Sequence, residues 1–229
     1  MPISLHCKLP TTAFNLIDGI DGLAGSLGMI SILFFGTWFM LVGKMYYSFF
    51  CFAFAGGYLA FLNYNWAPSK IFMGDTGSLL LGFFIASSTI LFIDTNYYLL
   101  ESSYKFNGSI ATGVAIIVVP LYDTIRVFIK RIMAGRSPMS PDKNHLHHVL
   151  LNLGYKHAGA TVILIMINLS FVGIAIFLKD YNDRIALPAV IATAIIMGAI
   201  LDYRFGKMIK SKRKGSGNGA SEVFLTKSA

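Results

Sequence analysis

The sequence predicts an all-α fold: a polytopic membrane helix bundle of about six transmembrane helices, with both termini cytoplasmic. Three observations lead there. First, 55% of the 229 residues are apolar and only 13% are charged, roughly half the charged share of a soluble domain, and mean hydropathy is +0.64. Second, six apolar runs, 23–42, 45–62, 79–93, 110–128, 162–178 and 185–201, approach the ~20 residues a helix needs to cross a bilayer core, shorter ones being tolerated inside a bundle. Third, 76–93 and 106–122 contain no charge at all, whereas a soluble bundle interrupts such runs with a polar face. A disordered chain and a soluble globular domain are both excluded on this composition. The net charge of +8 suits nucleic acid in principle, but the long uncharged runs argue against it.

The first element, 1–12, reads as an atypical N-terminal segment. It has no long apolar stretch and so is not a signal peptide. Six spans put both termini on one face, together with the 63–78 loop and the 129–161 segment. Lys44, Lys105, Lys179 and Arg184 fall on the opposite face, leaving the other 15 of the 19 Lys and Arg residues on the first. The positive-inside rule makes that face cytoplasmic. The transmembrane domain is expected over 13–205. Beyond it, 206–229 reads as a basic tail near anionic headgroups, with a disordered Gly-Ser-Gly-Asn-Gly stretch. Two cysteines, Cys7 and Cys51, allow at most one disulfide; Cys51 lies in an apolar run and reads as a buried free thiol.

Three polar clusters all fall on the cytoplasmic face. In Asn15-Leu16-Ile17-Asp18-Gly19-Ile20-Asp21-Gly22-Leu23, Asn15, Asp18 and Asp21 recur every three residues and share a face if the stretch is helical. Two carboxylates and an amide suit a hard cation or a polar substrate; equally, acidic residues often sit at a helix start. Lys70-Ile71-Phe72-Met73-Gly74-Asp75-Thr76-Gly77-Ser78 leads straight into a span, with Asp75 at or near its cap and free N–H groups able to take an anion. In the third, Asp123 and Arg126 are spaced to pair with each other. They precede Lys130, Arg131, Gly135, Arg136, Ser137, Pro138, Pro141, Asp142, Lys143, His145, His147 and His148, a basic, proline-stiffened loop able to clamp an anion or to serve acid/base chemistry. Each cluster alone reads equally well as an ordinary cap or a solvated surface. Together on one face they read as one site for a nucleotide diphosphate presented from the cytosol.

These residues identify a resemblance. Asn15 to Leu23 resembles the Asn-x-x-Asp-Gly-x-Asp-Gly-Leu motif of the polyprenyl-phosphate N-acetylhexosamine-1-phosphate transferases (glycosyltransferase family 4). Phe72 to Leu79 is similar to their Phe-Met-Gly-Asp-x-Gly-Ser-Leu motif, and Asp142 to Leu150 to their Pro-Asp-x-x-His-x-His-His-x-Leu loop. Residues 135–142 most resemble the WecA/TagO type, with MraY, the phospho-N-acetylmuramoyl-pentapeptide transferase, as the more distant alternative. The resemblance covers roughly 13–205.

It implies transfer of N-acetylglucosamine 1-phosphate, or a related sugar 1-phosphate, from a UDP-sugar to undecaprenyl phosphate. UMP leaves, in cell-envelope polysaccharide biosynthesis at the plasma (inner) membrane. It implies Mg²⁺, with Mn²⁺ as a substitute, at Asn15 and Asp75. Phe72 would pack on uracil and Asp21 hydrogen-bond it. Asp18, Asp75 and His145 would be catalytic, the particular role of Asp18 staying open. Arg131, Arg136, His147 and His148 would contact phosphates and sugar. The partners implied are the UDP-sugar, the lipid phosphate and the bilayer, not nucleic acid, and a homodimer stays open. Family members also carry upstream spans and an Asp-Asp pair that this sequence lacks. The expectation is therefore the C-terminal part of the fold, a fragment short of one catalytic component. A membrane protein that binds UDP-sugar without turnover is the alternative.

Overall fold

The computed structural model describes residues 3–100, 102–137 and 145–225. Among them the protein is all-helical: α1 (Ile3–Ile17), α2 (Leu23–Leu41), α3 (Met45–Asn65), α4 (Gly74–Tyr97), α5 (Ser109–Ile116), α6 (Val118–Met133), α7 (Leu146–Asn152), α8 (His157–Phe177) and α9 (Asp183–Leu225). Helices α2, α3, α4, α8 and the first part of α9 are each long and apolar enough to cross a membrane, and α5 with α6 passes the same test only as a bent pair, a broken span or a re-entrant loop. Each of the six expected apolar segments is helical. Every backbone polar group in such a bundle must be satisfied internally, and helices achieve that within one segment.

The first difference is α1. The segment set apart as 1–12 is helical from Ile3 and continues without a break to Ile17. It runs antiparallel to α4: Ser78 donates to Asn15, Thr11 backbone lies against Gly82, and Lys8 and Leu9 border a groove shared with Ala86, Ile90 and Ile93. Gly82 permits this approach, since a Cβ there would lie 2.7 Å from Thr11 Cα. Lys8, Pro10, Thr11 and Thr12 lower the local hydropathy and hide this helix from a search for apolar runs.

The second difference is the fourth span, expected to be continuous over 110–128. It breaks at Ile117, where α5 and α6 meet at 78°. Pro120 has no N–H, so the Ile116 carbonyl loses its helical donor. Asn168 Nδ2 from α8 supplies one at 3.2 Å, with Ser31 Oγ at 3.5 Å. Asp183 at the start of α9 satisfies the other end of α5, accepting from Ala111 N–H at 2.8 Å. Replacing Asn168 by Leu is expected to destabilise the protein by about 0.6–1.7 kcal/mol, the average and upper values for interhelical hydrogen bonds within a membrane protein. Thermal unfolding in detergent checks this; an unchanged Tm would show that the Ile116 carbonyl does not depend on α8.

The third difference is the tail. Residues 206–225, expected to be disordered, continue α9 as helix to Leu225. No proline follows Pro188, and Lys and Arg are good helix formers. Cys51 is buried and free. The core around it is strongly aromatic: Phe35, Trp38, Phe92 and Phe106 pack edge-on or tilted at 4.5–5.8 Å, and Phe54 stacks on Phe84 at 3.9 Å. This packing holds α2, α3 and α4 in fixed register, which places their loop ends together.

Candidate active site

One end of the bundle gathers the C-terminal end of α1, the α1–α2 turn, the α3–α4 loop and the start of α4. Asn15, Asp18, Asp21, Asn65, Phe72 and Asp75 line a single cavity of about 260 Å³ there. The three-residue repeat does not lie on a helix face as expected. The α1 helix stops at Ile17, and Asp18 to Gly22 form a turn in which Gly22 takes a left-handed φ of 70°. A side chain is disfavoured there, and a Cβ would also lie 2.8 Å from the Trp66 ring. The turn thus does what the helix was expected to do, turning both carboxylates into the cavity.

Asn65, which sequence reasoning missed, staples the first two clusters. Its Oδ1 accepts from Gly22 N–H at 3.1 Å and its Nδ2 donates to the Ile71 carbonyl at 2.9 Å. A polar residue closing an apolar span was the only signal for it. Asp21 is anchored by Ser69, whose Oγ donates at 2.8 Å and whose N–H donates at 3.3 Å. Ser78 Oγ donates to Asn15 Oδ1 at 2.5 Å. Asp75 lies in the first turn of α4, which begins at Gly74 with no side-chain cap hydrogen bond. The positive end of α4 therefore faces the cavity. Phe72 at the rim is 82% exposed, an aromatic face open to stacking.

The third cluster reaches the same place. His147 is buried, and a Cβ on Gly19 would lie 2.3 Å from its Nε2: the imidazole rests on the backbone of the first cluster. His145 is extended and precedes α7, whose first turn carries His147 and His148. The His145 ring stacks on that of His147 at 5.7 Å, and His148 lies 4.3 Å from His147. Asp123 and Arg126 approach at 3.9 Å, but their hydrogen bonds go elsewhere. Asp123 binds His145 and Leu146, while Arg126 binds Asp202. Arg131 is buried, its guanidinium 5.9 Å from the Phe128 ring; Arg136 is exposed. Pro138, Pro141, Asp142 and Lys143 lie outside the described residues.

Burial raises the Asp18 carboxyl from 3.8 to about 6, with the nearby Asp75 charge adding to the effect. The folded protein thus holds a proton that the unfolded chain has lost between about pH 4 and 6, so stability falls as pH rises through that window. Asp18→Asn is expected to raise the Tm of the ligand-free protein at pH 7.5 and to lose that advantage towards pH 4. Equal melting temperatures at pH 7.5 would contradict the crowding of charge. His147 is lowered to about 4, chiefly by burial and then by His148. It is neutral at pH 7 and can meet an anion only through a ring N–H.

Comparison with known proteins fits this geometry. Residues 3–93, from α1 through most of α4, match the family model of glycosyl transferase family 4. The match starts inside α1, so the helix overlooked in the sequence is part of it. The chain is 35% identical over 192 residues to a probable undecaprenyl-phosphate N-acetylglucosaminyl 1-phosphate transferase of Bacillus subtilis, covering 84% of this chain and 51% of that protein. It is 34% identical over 208 residues to a decaprenyl-phosphate N-acetylglucosaminephosphotransferase of Mycolicibacterium smegmatis, covering 85% and 51%. A third relative is an undecaprenyl-phosphate alpha-N-acetylglucosaminyl 1-phosphate transferase of Escherichia coli O157:H7, 29% identical over 228 residues, covering 92% and 59%. The resemblance read from the motifs is borne out. The chain spans about half the length of the curated relatives it matches.

Proposed function

We propose that this chain carries the donor site of a polyprenyl-phosphate N-acetylhexosamine-1-phosphate transferase, spanning the plasma membrane with the site on the cytoplasmic face. The observation that carries this is that the first two motifs line one cavity at one end of the bundle, while His147 of the third, more than a hundred residues away in the chain, packs on Gly19 of the first.

The donor in this reading is UDP-N-acetylglucosamine and the acceptor is undecaprenyl or a related polyprenyl phosphate. An oxygen of the lipid phosphate forms a new bond to the sugar-bearing phosphorus, the bond from that phosphorus to UMP breaks, and UMP leaves. Phe72 offers its exposed face to the uracil. Asp21, fixed by Ser69, accepts from the base. The histidine face of α7 and the start of α4 supply N–H donors to the phosphates, with Arg131 and Arg136 adding positive charge. Such positioning and charge stabilisation is most of what phosphoryl transfer asks of a protein.

The donor set fits a divalent cation. Asn15, Asp18 and Asp75 bring one amide and two carboxylates to a small polar cavity; burial is the main cause that lifts Asp18, and the Asp75 charge that adds to it is the part a cation would relieve. Among the described residues no three His, Cys, Asp or Glu side chains converge on a metal site. The amide and carboxylates that line the cavity suit Mg²⁺, which is commonly held by one or two carboxylates plus substrate phosphates. Asn15 and Asp75 would hold it, and when bound it would neutralise charge on the donor diphosphate.

The test is binding and turnover by the purified full chain in nanodiscs. UDP-N-acetylglucosamine should bind by calorimetry in Mg²⁺ and be lost on adding EDTA, and UMP should appear when undecaprenyl phosphate is supplied. Absence of Mg²⁺-dependent donor binding would overturn the reading; binding without UMP would mark a donor-binding part that does not turn over alone.

A further inference from the structure

We propose that Asp123 is a positioning residue for this site, fixing the plane of His145 and keeping a proton on its Nδ1, so that Nε2 is the ring nitrogen left to the ligand: an acceptor in the neutral ring and a donor to an anion once the ring carries both protons. That ligand role rests on the function proposed above; the pairing itself rests on geometry. Asp123 lies on α6, is 1% exposed, and spends both oxygens on the start of α7. Oδ2 lies 2.8 Å from His145 Nδ1, and Oδ1 accepts from Leu146 N–H at 2.7 Å.

A carboxylate accepts and does not donate, so His145 Nδ1 carries the proton and Nε2 is the remaining ring nitrogen. The carboxylate also balances the ring's charge when both nitrogens are protonated. A carboxylate holding an imidazole in one tautomer is a familiar device in acid/base sites. Here it is doubled, because the same group ties the backbone N–H of the next residue. His145 cannot rotate or slide without breaking one bond or the other. The fixed ring then stacks within 9° of parallel on His147, and His147 lies on Gly19. Asp123 thus sets, through two rings, the distance between the third cluster and the carboxylate turn. Arg126 approaches the same carboxylate at 3.9 Å, while its hydrogen bonds go to Asp202, which Lys130 also binds.

The experiment uses the full chain in nanodiscs with ¹⁵N-labelled histidine. In the wild type, the resonance lost in His145→Gln should be that of a ring protonated at Nδ1. In Asp123→Asn, which keeps an oxygen for Leu146 N–H but turns an amide towards the ring, the signal should change tautomer. A wild-type ring that is bare at Nδ1, or an Asp123→Asn spectrum identical to wild type, would overturn the proposal. The wild-type measurement holds even if the variant does not fold. UDP-N-acetylglucosamine with Mg²⁺ gives the second readout. Asp123→Asn and His145→Gln should each weaken binding roughly tenfold, the scale of a charge-assisted hydrogen bond, and the double variant no more than His145→Gln alone. Additive losses would show that Asp123 acts through the fold and not through His145. If wild type binds no donor while the tautomer result holds, the functional reading fails and the pairing stands.

Discussion

Asp75→Asn is expected to weaken Mg²⁺-dependent UDP-N-acetylglucosamine binding by on the order of a hundredfold, the upper end of what loss of even an outer-shell partner costs a metal site, and to remove turnover with it. The side chain is exposed in the first turn of α4, so little packing is lost. Its favourable position at the positive helix end is worth about 0.3–1 kcal/mol. Melting temperature should therefore stay nearly unchanged while function collapses. The substitution also removes one of the two causes that raise Asp18, so the Asp18 carboxyl should titrate lower in Asp75→Asn, by carboxyl NMR or by the pH dependence of Tm. Binding retained within threefold of wild type would show that Asp75 does not hold the cation.

Gly19→Ala is the second large effect. The new methyl would sit 2.3 Å from His147 Nε2 and 2.6 Å from Cε1, closer than real side chains come. The ring cannot swing away cheaply, being 2% exposed and held between His145 and His148. Either the carboxylate turn or α7 must move. The expected cost is about 1–3 kcal/mol of stability, the usual range for overpacking, together with at least a roughly tenfold loss of donor affinity if misplacement by about 1 Å acts as it does in other sites. Gly173→Ala on α8 is the control. Nothing lies within 4 Å of a Cβ there, and gaining Ala in a helix is neutral or favourable by up to about 1 kcal/mol. Pairing Gly19→Ala with His147→Ala should restore stability without restoring binding. A Gly19→Ala protein with native Tm and affinity would mean that the two clusters do not press on each other in solution.

What could be read from the residue string was what depends on neighbours along the chain. Crossing a bilayer needs a run of apolar side chains, and a run is a local property, so all six apolar segments were visible, five of them as single helices long enough to cross. The three motifs were visible for the same reason, each being compact. What stayed hidden depends on a partner far away in the chain. The α1 helix looks too polar to enter a bundle until Gly82 is seen to open a place for Thr11. Pro120 is plain in the sequence, but the broken crossing is completed by Asn168, 52 residues from the carbonyl it serves. Asn65 is one polar residue at the end of a span until its bond to Gly22, 43 residues back, is seen. Asp123 has Arg126 one turn along its own helix, and spacing alone pairs them. Folding keeps that approach at 3.9 Å and adds His145 and the Leu146 N–H, because a buried carboxylate needs closer hydrogen-bond partners than one guanidinium at that distance supplies.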